Sequence, residues 1–243
     1  LALQGAFVEH QAILSHGQTR LPTAVRTLLV RTQDELAECD ALIIPGGEST
    51  TMALLARLTG LLAPLREFAC SKPVWGICAG AILLASGGIV GAKKNGQEVI
   101  GGIDVRVERN GWGSQLESFE AELTVAGLWD PNQPFVGVFI RAPVRYPSPI
   151  KVLARLPSSL LPAITSQETF ERQDPQLEAH SSDSRTIVAL RQGRHLLTTF
   201  HPELTKDDRF HEYFINECVL GPPADQIRDS HAPVAKAIPI YCV

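Results

Sequence analysis

The fold is decided by the stretch PVWGICAGAILLA, residues 73–85, in which an apolar strand passes directly into an apolar helix. Between them lies Gly76-Ile77-Cys78-Ala79-Gly80, a G-x-nucleophile-x-G elbow with sulfur in place of the usual oxygen. Glycines are needed there because a strand that turns straight into a helix strains the central residue and leaves no room for neighbouring side chains. The stretch therefore predicts a buried strand, an α/β fold and a thiol at the start of a helix.

The rest of the chain alternates short apolar runs with helix-length amphipathic stretches as far as about Val219. Such a rhythm is typical of βαβ units. It predicts an α/β fold with a doubly wound, mostly parallel sheet flanked by helices. The predicted strands are 1–3, 41–44, 74–77, 99–107, 119–125, 135–140, 187–190 and 196–200, and the predicted helices are 7–16, 49–58, 61–69, 79–85 and 209–219.

Two stretches break the pattern and limit the predicted domain, a single unit over residues 1–220. Residues 157–185 are rich in Ser, Pro, Gln, Glu and Asp with little periodicity, which predicts a surface insertion, partly mobile. Residues 221–243 follow a Gly-Pro-Pro stop and have no helix period, which predicts a loosely attached tail. Leu1–Leu3 has the composition of a strand end, so we expect a short natural start to precede it.

Charge and composition exclude several classes of function. The chain has 243 residues, with 22 Lys and Arg against 26 Asp and Glu and a net charge of -4, so it lacks the basic field that holds nucleic acid or an anionic membrane. Its longest apolar runs, such as 81–85, are far shorter than the ~20 residues of a membrane-spanning helix. Five cysteines without a CxxC pair indicate a reducing compartment, for which the cytosol is the default.

Cys78 is the candidate nucleophile. A cysteine with an ordinary pKa near 8.5 is only a few per cent thiolate at pH 7, a deficit of about 2 kcal/mol. A helix dipole supplies about half of that, and a neighbouring imidazole is the usual source of the rest. The alternative is a buried structural cysteine, the commoner fate of an isolated Cys, but the flanking glycines and the strand-to-helix setting favour a nucleophile. No elbow surrounds the other cysteines.

A candidate base follows the last predicted strand, LLTTF at 196–200, as His201-Pro202-Glu203. It therefore lies at the carboxyl end of a strand, where open α/β sheets place their sites. Proline disfavours helix at His201, and in extended backbone residues two apart point the same way, so the Glu203 carboxylate can hydrogen-bond the imidazole. With Cys78 these residues would form a Cys-His-Glu triad. A turn that carries a solvated histidine is the alternative.

A third motif, PGGESTT at 45–51, follows another buried strand and reaches the same edge of the sheet. Its glycine pair allows backbone N–H groups to converge on an anion, so we interpret it as half of an oxyanion hole. The donors would be the N–H groups of Gly47 and of Ala79, the residue after the nucleophile. A phosphate-binding loop is the rival interpretation, but the Lys-Ser/Thr ending of a P-loop is absent. A helix cap by Ser49 or Thr50 is compatible with either.

Together these strings resemble class I glutamine amidotransferases, and more narrowly the glutaminase subunits of pyridoxal 5′-phosphate synthase. The likeness rests on PGGEST at 45–50, GICAG at 76–80 and HPELT at 201–205, together with LALQGA at 1–6, VERNGWGSQ at 107–115, SFEAE at 118–122 and VFIRAP at 138–143. It covers nearly all of residues 1–219. It implies a flavodoxin-like fold of the class I glutaminase type.

The resemblance implies hydrolysis of L-glutamine to glutamate, with the ammonia passed to a (β/α)8 synthase partner and with no cofactor or metal. By that resemblance Cys78 attacks the side-chain amide, His201 moves the protons and Glu203 orients His201. The residues that would hold the substrate are Gly47, Glu48, Ser49, Arg109, Ile140 and Arg141, with Gln4 supporting the oxyanion turn. An arginine suits the carboxylate of a free amino acid, and a surface position is the alternative for Arg109 and Arg141. The apolar neighbours of Arg141 favour its role in binding, because a charge among them would need a partner.

Three other functions remain open. The same triad would serve imidazole glycerol phosphate synthase or another amidotransferase, although RNGWG at 109–113 and FIRAP at 139–143 argue against this. A catalytically silent regulatory subunit is disfavoured by the intact Cys78, His201 and Glu203. A cysteine protease is disfavoured because the charged groups suit a free amino acid.

Overall fold

The helices and strands are taken from a computed structural model of the chain. The structure describes residues 1–16, 21–90, 96–108, 119–130, 132–139, 144–145, 150–160, 186–221 and 240–242. The helices within these residues are α1 (Phe7–His16), α2 (Gln33–Ala37), α3 (Ser49–Leu58), α4 (Leu62–Ser71), α5 (Ala79–Leu84) and α6 (Arg209–Tyr213). Short 3-10 segments cover Ser158–Leu160 and Pro202–Leu204, and a π-helix covers Phe214–Leu220.

The strands are short and numbered in chain order. They are β1 (Val25–Thr27), β2 (Leu42–Ile44), β3 (Val74–Ile77), β4 (Ile89–Val90), β5 (Arg106–Glu108), β6 (Phe119–Leu123), β7 (Phe135–Phe139), β8 (Val144–Arg145), β9 (Lys151–Arg155), β10 (Ile187–Gln192), β11 (His195–Thr198) and β12 (Ile240–Cys242).

Within the described residues, the central sheet has the strand order β2-β3-β11-β10-β9. β3 pairs in parallel with both β2 and β11, whereas β10 is antiparallel to β11 and to β9. The sheet is therefore mixed, and its parallel half carries the motifs predicted to form the site. Smaller groups pair β1 with β12, β4 with β5 and β8, and β6 with β7.

Helices cover both faces of the central sheet. One hydrophobic core lies between the sheet and α3, α4 and α5, and a second lies between the sheet and α1 and α6. Alternate residues of β2 point to opposite cores, so that Leu42 and Ile44 join the first and Ile43 joins the second. This two-sided burial explains why the strand is apolar throughout. No helix in the described part of the chain is long and apolar enough to cross a bilayer.

The elbow between β3 and α5 lies at the carboxyl edge of the parallel strands. The N–H of Cys78 donates to the carbonyl of Thr198 on β11 over 2.9 Å. On the other side Gly80 lies against β2, where a Cβ would come within 2.1 Å of the Ile44 carbonyl oxygen. Only glycine fits there, and the elbow is fixed between its two neighbouring strands.

Several predicted elements differ from the structure in extent. Of the predicted strand 99–107, only the end belongs to a strand, Arg106–Glu108, and Ile103 forms a single parallel bridge with Ala85. Gly101 and Gly102 have φ values of 80° and 129° and interrupt the extended backbone. The helix predicted at 209–219 is α-helical to Tyr213 and continues with π spacing to Leu220. The sequence analysis did not predict β1, α2 or β9.

The ends of the chain also depart from the predicted pattern. Leu1–Leu3 is not assigned to a strand, but the amino group of Leu1 donates to the Ile43 carbonyl over 2.6 Å. Ile240–Cys242 forms β12 and pairs in parallel with β1, a pairing that the sequence did not indicate. Residues 161–185 and 222–239 lie outside the described residues. The limits of the single domain, its insertion and its tail therefore stay predictions.

A buried arginine ties the loop before β7 to the start of α6. Arg209 is 3% exposed. Its guanidinium donates to the Asp207 carboxylate over 2.5 to 3.0 Å and to the carbonyls of Asp130, Gln133 and Pro134 over 2.9 to 3.1 Å. The planar guanidinium has five N–H donors and can reach the carboxylate and the carbonyls at the same time. The ammonium group of a lysine could not make all of these contacts.

We expect Arg209→Met to lower the free energy of unfolding by about 2–3 kcal/mol, because Asp207 and the loop carbonyls lose their common donor. The control is Arg26→Met, which removes an exposed ion pair of 2.7 Å with Glu38 and should change the free energy by less than about 1 kcal/mol. Urea denaturation of both variants measures the difference. Equal losses would contradict the assigned role of Arg209.

Candidate active site

Cys78 has the strained backbone that the elbow motif predicts. Its φ is 48° and its ψ is -99°, a region that residues with a side chain rarely adopt. The residue is 5% exposed and directly precedes α5. The thiol is thus presented at the end of β3 by a backbone that the adjoining strands must hold in place.

His201 and Glu203 lie at the end of the neighbouring strand β11. The Nδ1 atom of His201 is 2.7 Å from Oε1 of Glu203, and the Glu203 side chain is fully buried. The backbone N–H of His201 donates to the Val138 carbonyl of β7 over 2.8 Å. This bond and the short 3-10 segment after His201 fix the imidazole, and its second nitrogen, Nε2, is also buried.

The charged form of His201 is strongly favoured. Burial alone lowers the pKa of His201, but its hydrogen bonds with Cys78 and Glu203 and the charges of both groups outweigh burial and raise the pKa to about 10. An imidazolium between a thiol and a carboxylate is the setting in which a cysteine gives up its proton. The structure therefore brings the three predicted triad residues together.

The turn at residues 45–47 closes the site from the side of β2. A Cβ on Gly46 would come within 2.3 Å of Cε1 of His201, so the imidazole lies directly against the glycine backbone. Gln4 lies on the other side of this turn, where its Oε1 accepts from the N–H of Glu48 over 2.9 Å. The structure thus places Gly46 directly against His201 and packs Gln4 against Gly47 on the other side of the turn. The support that Gln4 would give to an oxyanion hole stays a prediction.

Glu48 is the cap of α3, a role that the sequence analysis had considered for Ser49 or Thr50. Its carboxylate accepts from the backbone N–H groups and hydroxyls of Thr50 and Thr51. Burial raises the pKa of Glu48, but these hydrogen bonds reverse that effect and lower the pKa to about 2. Ser49 is buried and donates to Gln97 over 3.3 Å. The Glu48 carboxylate is therefore already occupied by its own helix.

The remaining predicted site residues, Arg109, Ile140 and Arg141, lie outside the described residues. Ala79 is the first residue of α5 and follows Cys78 directly, as the oxyanion interpretation requires. Within the described residues no group of three or more His, Cys, Asp or Glu side chains is arranged to hold a metal ion.

Two buried histidines lie behind Glu203, and the sequence analysis did not identify them. Nε2 of His10 in α1 is 3.6 Å from Oε2 of Glu203, and Nδ1 of His10 is 2.8 Å from Nε2 of His211 in α6. Both rings pack edge-on against Trp75. The sequence did contain one indication that His10 is buried. His10 lies four residues before Leu14, which places both residues on the same, buried face of α1.

The family of the chain follows from its sequence as a whole. The model of the SNO glutamine amidotransferase family matches residues 1–167 and 156–220. The chain belongs to this family. As an SNO glutamine amidotransferase it is a glutaminase, an enzyme that hydrolyses the side-chain amide of glutamine.

Individual proteins are similar to this glutamine amidotransferase over most of their length. A probable pyridoxal 5′-phosphate synthase subunit from Arabidopsis thaliana is 45% identical over 221 residues, which cover 88% of this chain and 83% of the relative. A pyridoxal 5′-phosphate synthase subunit from Acidothermus cellulolyticus is 44% identical over 219 residues, covering 88% and 90%.

A solved structure of a glutamine amidotransferase has the same fold. It superimposes with a TM-score of 0.66 and 40% sequence identity, and the match covers 89% of this chain and 95% of that one. The predicted α/β class with a flavodoxin-like, helix-flanked sheet is confirmed.

Because His211 is buried, we expect the glutaminase to lose stability in acid. Burial lowers the pKa of His211 to about 3, whereas an unfolded histidine has a pKa near 6.5. The unfolded chain therefore binds one more proton than the folded chain between these values, and stability falls as the pH falls through this window. The slope is at most about 1.4 kcal/mol per pH unit for one proton.

We expect the free energy of unfolding of the wild type to fall by about 2–3 kcal/mol more than that of His211→Gln between pH 7 and pH 4.5, because the amide cannot titrate. Urea denaturation at each pH measures the two slopes, and the contributions of the carboxylates cancel in their difference. Parallel slopes would show that His211 titrates normally in the folded chain.

Proposed function

We propose that this glutaminase is the ammonia-producing subunit of a pyridoxal 5′-phosphate synthase and that it acts through a triad of Cys78, His201 and Glu203. The observation that carries the triad is the 2.7 Å contact of Glu203 with His201 at the carboxyl end of β11, beside the strained elbow that presents Cys78. The relatives named as pyridoxal 5′-phosphate synthase subunits support the assignment to that synthase.

In the first half of the reaction, Sγ of Cys78 bonds to the side-chain carbonyl carbon of L-glutamine, and His201 holds the thiol proton as an imidazolium. The carbonyl oxygen becomes an oxyanion that the N–H groups of Gly47 and Ala79 stabilise. His201 then gives its proton to the departing nitrogen. The C–N bond breaks, ammonia leaves, and a thioester of glutamate remains on Cys78.

In the second half, the neutral His201 takes a proton from a water molecule, and the hydroxide oxygen bonds to the thioester carbon. The C–S bond then breaks, glutamate departs, and the sulfur returns as a thiolate beside the imidazolium. Glu203 keeps the imidazole in the tautomer and orientation that both halves require. The raised pKa of His201 supports this role, because the imidazolium form exists at neutral pH.

Substrate binding is assigned to the turn at 47–49 and to Arg109, Ile140 and Arg141. Because the carboxylate of Glu48 caps α3, the contribution of this residue comes from its backbone. The arginines would pair with the α-carboxylate of L-glutamine. The ammonia would pass to a (β/α)8 synthase subunit without release to solvent, because ammonia that is released would be lost by dilution. The expected compartment is the cytosol.

We expect Cys78→Ala to reduce ammonia release from L-glutamine by at least about 1000-fold without loss of the fold, because it removes only the nucleophile. His201→Asn should be nearly as damaging and Glu203→Gln less so, since the amide keeps a hydrogen-bonding shape. The matched control is Cys70→Ala, which changes an exposed cysteine in α4 and should keep wild-type activity. A Cys78→Ala variant with near-wild-type turnover would overturn the triad.

The partner is tested with the same proteins. We expect a pyridoxal 5′-phosphate synthase subunit of the (β/α)8 type to increase ammonia release several-fold, and the increase to vanish with Cys78→Ala. Wild-type activity that no synthase subunit changes would instead favour a glutaminase of another amidotransferase. A complex that forms without any hydrolysis would favour a silent regulatory subunit.

A further inference from the structure

One carboxylate oxygen of Glu203, Oε2, takes no part in the contact with His201. Oε1 of Glu203 contacts His201, whereas Oε2 is buried and makes no hydrogen bond within the described residues. A carboxylate oxygen in a dry interior without a donor is costly. The polar atom that faces it is Nε2 of His10, 3.6 Å away and itself without a hydrogen bond in the described part of the chain.

His10 is placed so that it can act as a donor to Oε2. Its side chain is fully buried on α1, and it packs edge-on against Trp75 with ring centroids 5.8 Å apart. Trp75 is itself fixed, since its indole N–H donates to Thr198 over 3.1 Å. Burial and the neighbouring His211 keep the pKa of His10 well below its usual value, so the ring is neutral and carries a single N–H.

The tautomer of His10 follows from the contact with His211. One of the two nitrogens in the 2.8 Å pair must donate and the other must accept. If His10 donated through Nδ1, its bare Nε2 would face the Glu203 carboxylate, and the N–H of His211 would sit on Nδ1, which is buried without a partner. If His211 donates, Nε2 of His10 carries the proton toward Glu203 and only a lone pair on His211 is left unpaired. The second arrangement avoids both an electrostatic repulsion and a buried orphan donor.

We propose that His10 is a positioning residue of the glutaminase, whose Nε2–H, oriented by His211, holds Oε2 of Glu203 so that Oε1 stays on His201. The inference rests on the proposed triad, because His10 would act only through Glu203. The separation of 3.6 Å is that of a resting site, where catalytic hydrogen bonds are often long and shorten once substrate is bound.

Without the donor, Glu203 would rotate toward another partner or take up a proton. Either change frees the imidazole of His201 and slows both proton transfers. We expect the binding of glutamine to be unaffected, since the contacts described for His10 are with Glu203, His211 and Trp75. The loss should therefore appear in kcat and not in KM.

Two substitutions separate the contacts of His10. The amide of His10→Gln reaches the position of Nε2, so this variant keeps a donor for Glu203 and loses the acceptor for His211. The shorter His10→Asn keeps the contact with His211 and loses the donor for Glu203. Both remove a buried ring, so the two variants should be destabilised by similar amounts.

We expect His10→Asn to lower kcat for L-glutamine by about 10- to 100-fold with KM within about twofold, and His10→Gln to keep kcat within about threefold. In a Glu203→Ala background, His10→Asn should have no further effect on kcat, because it acts through Glu203. Equal losses of kcat in both variants, or a loss that follows unfolding, would reduce His10 to a packing residue and overturn the proposal.

A measurement on the wild-type protein does not depend on the stability of the variants. Nitrogen-15 spectra of labelled histidines distinguish the two tautomers of each ring. We expect His10 and His211 to carry their protons on Nε2, and a proton on Nδ1 of His10 would overturn the proposal. The spectra are independent of turnover, so a failure of the triad, seen as an active Cys78→Ala, is told apart from a failure of this inference.

Discussion

The site depends on the backbone of Cys78, which is held with positive φ between a strand and a helix. Such a conformation costs about 1–3 kcal/mol, and it persists only when its surroundings determine it. Here the Cys78 N–H is bound by the Thr198 carbonyl of β11, while Gly80 rests against Ile44 of β2. The parallel pairing of β2, β3 and β11 is therefore what holds the Cys78 backbone in this conformation, because a shift of either outer strand would release the strain.

Polar contacts continue from His201 into the interior of the protein. Glu203 contacts both His201 and His10, and His10 in turn contacts His211. The first histidine is held in its charged form by its neighbours, whereas the last two are held neutral by burial. Two environments a few ångströms apart thus fix opposite protonation states for the same kind of side chain.

Much of this could be predicted from the sequence, because the decisive features are local. The elbow at 76–80, the glycine turn at 46–47 and His-Pro-Glu at 201–203 each follow an apolar strand, and the carboxyl ends of parallel strands meet at one edge. Helices α1 and α3 were predicted with their observed bounds. The strand predicted at 99–107 was wrong over most of its length, because two glycines with positive φ override an apolar run that remains buried.

What the sequence could not provide are contacts between elements far apart in the chain. Nothing local to His10 or His211 indicates that α1 and α6 meet over Trp75, and the two histidines are 201 residues apart in the chain. Likewise the cap of α3 is Glu48 and not the serine or threonine that cap preferences favour, since its longer side chain folds back onto the first turn. Tertiary packing determines these contacts and the identity of the capping residue, and residue type alone predicts them poorly.

The order of the strands also has a consequence for how the enzyme is made. β11 lies next to β3 in the sheet, yet Trp75 and its partner Thr198 are 123 residues apart in sequence. A chain leaving the ribosome therefore exposes its elbow long before the strand that carries the imidazole has been synthesised. Pairing at such high sequence separation also slows folding, because the long intervening segment must be closed before the contact forms. Until then Cys78 lacks the imidazole that the proposed triad assigns to it, so the proposed activity cannot arise before β11 has paired with β3.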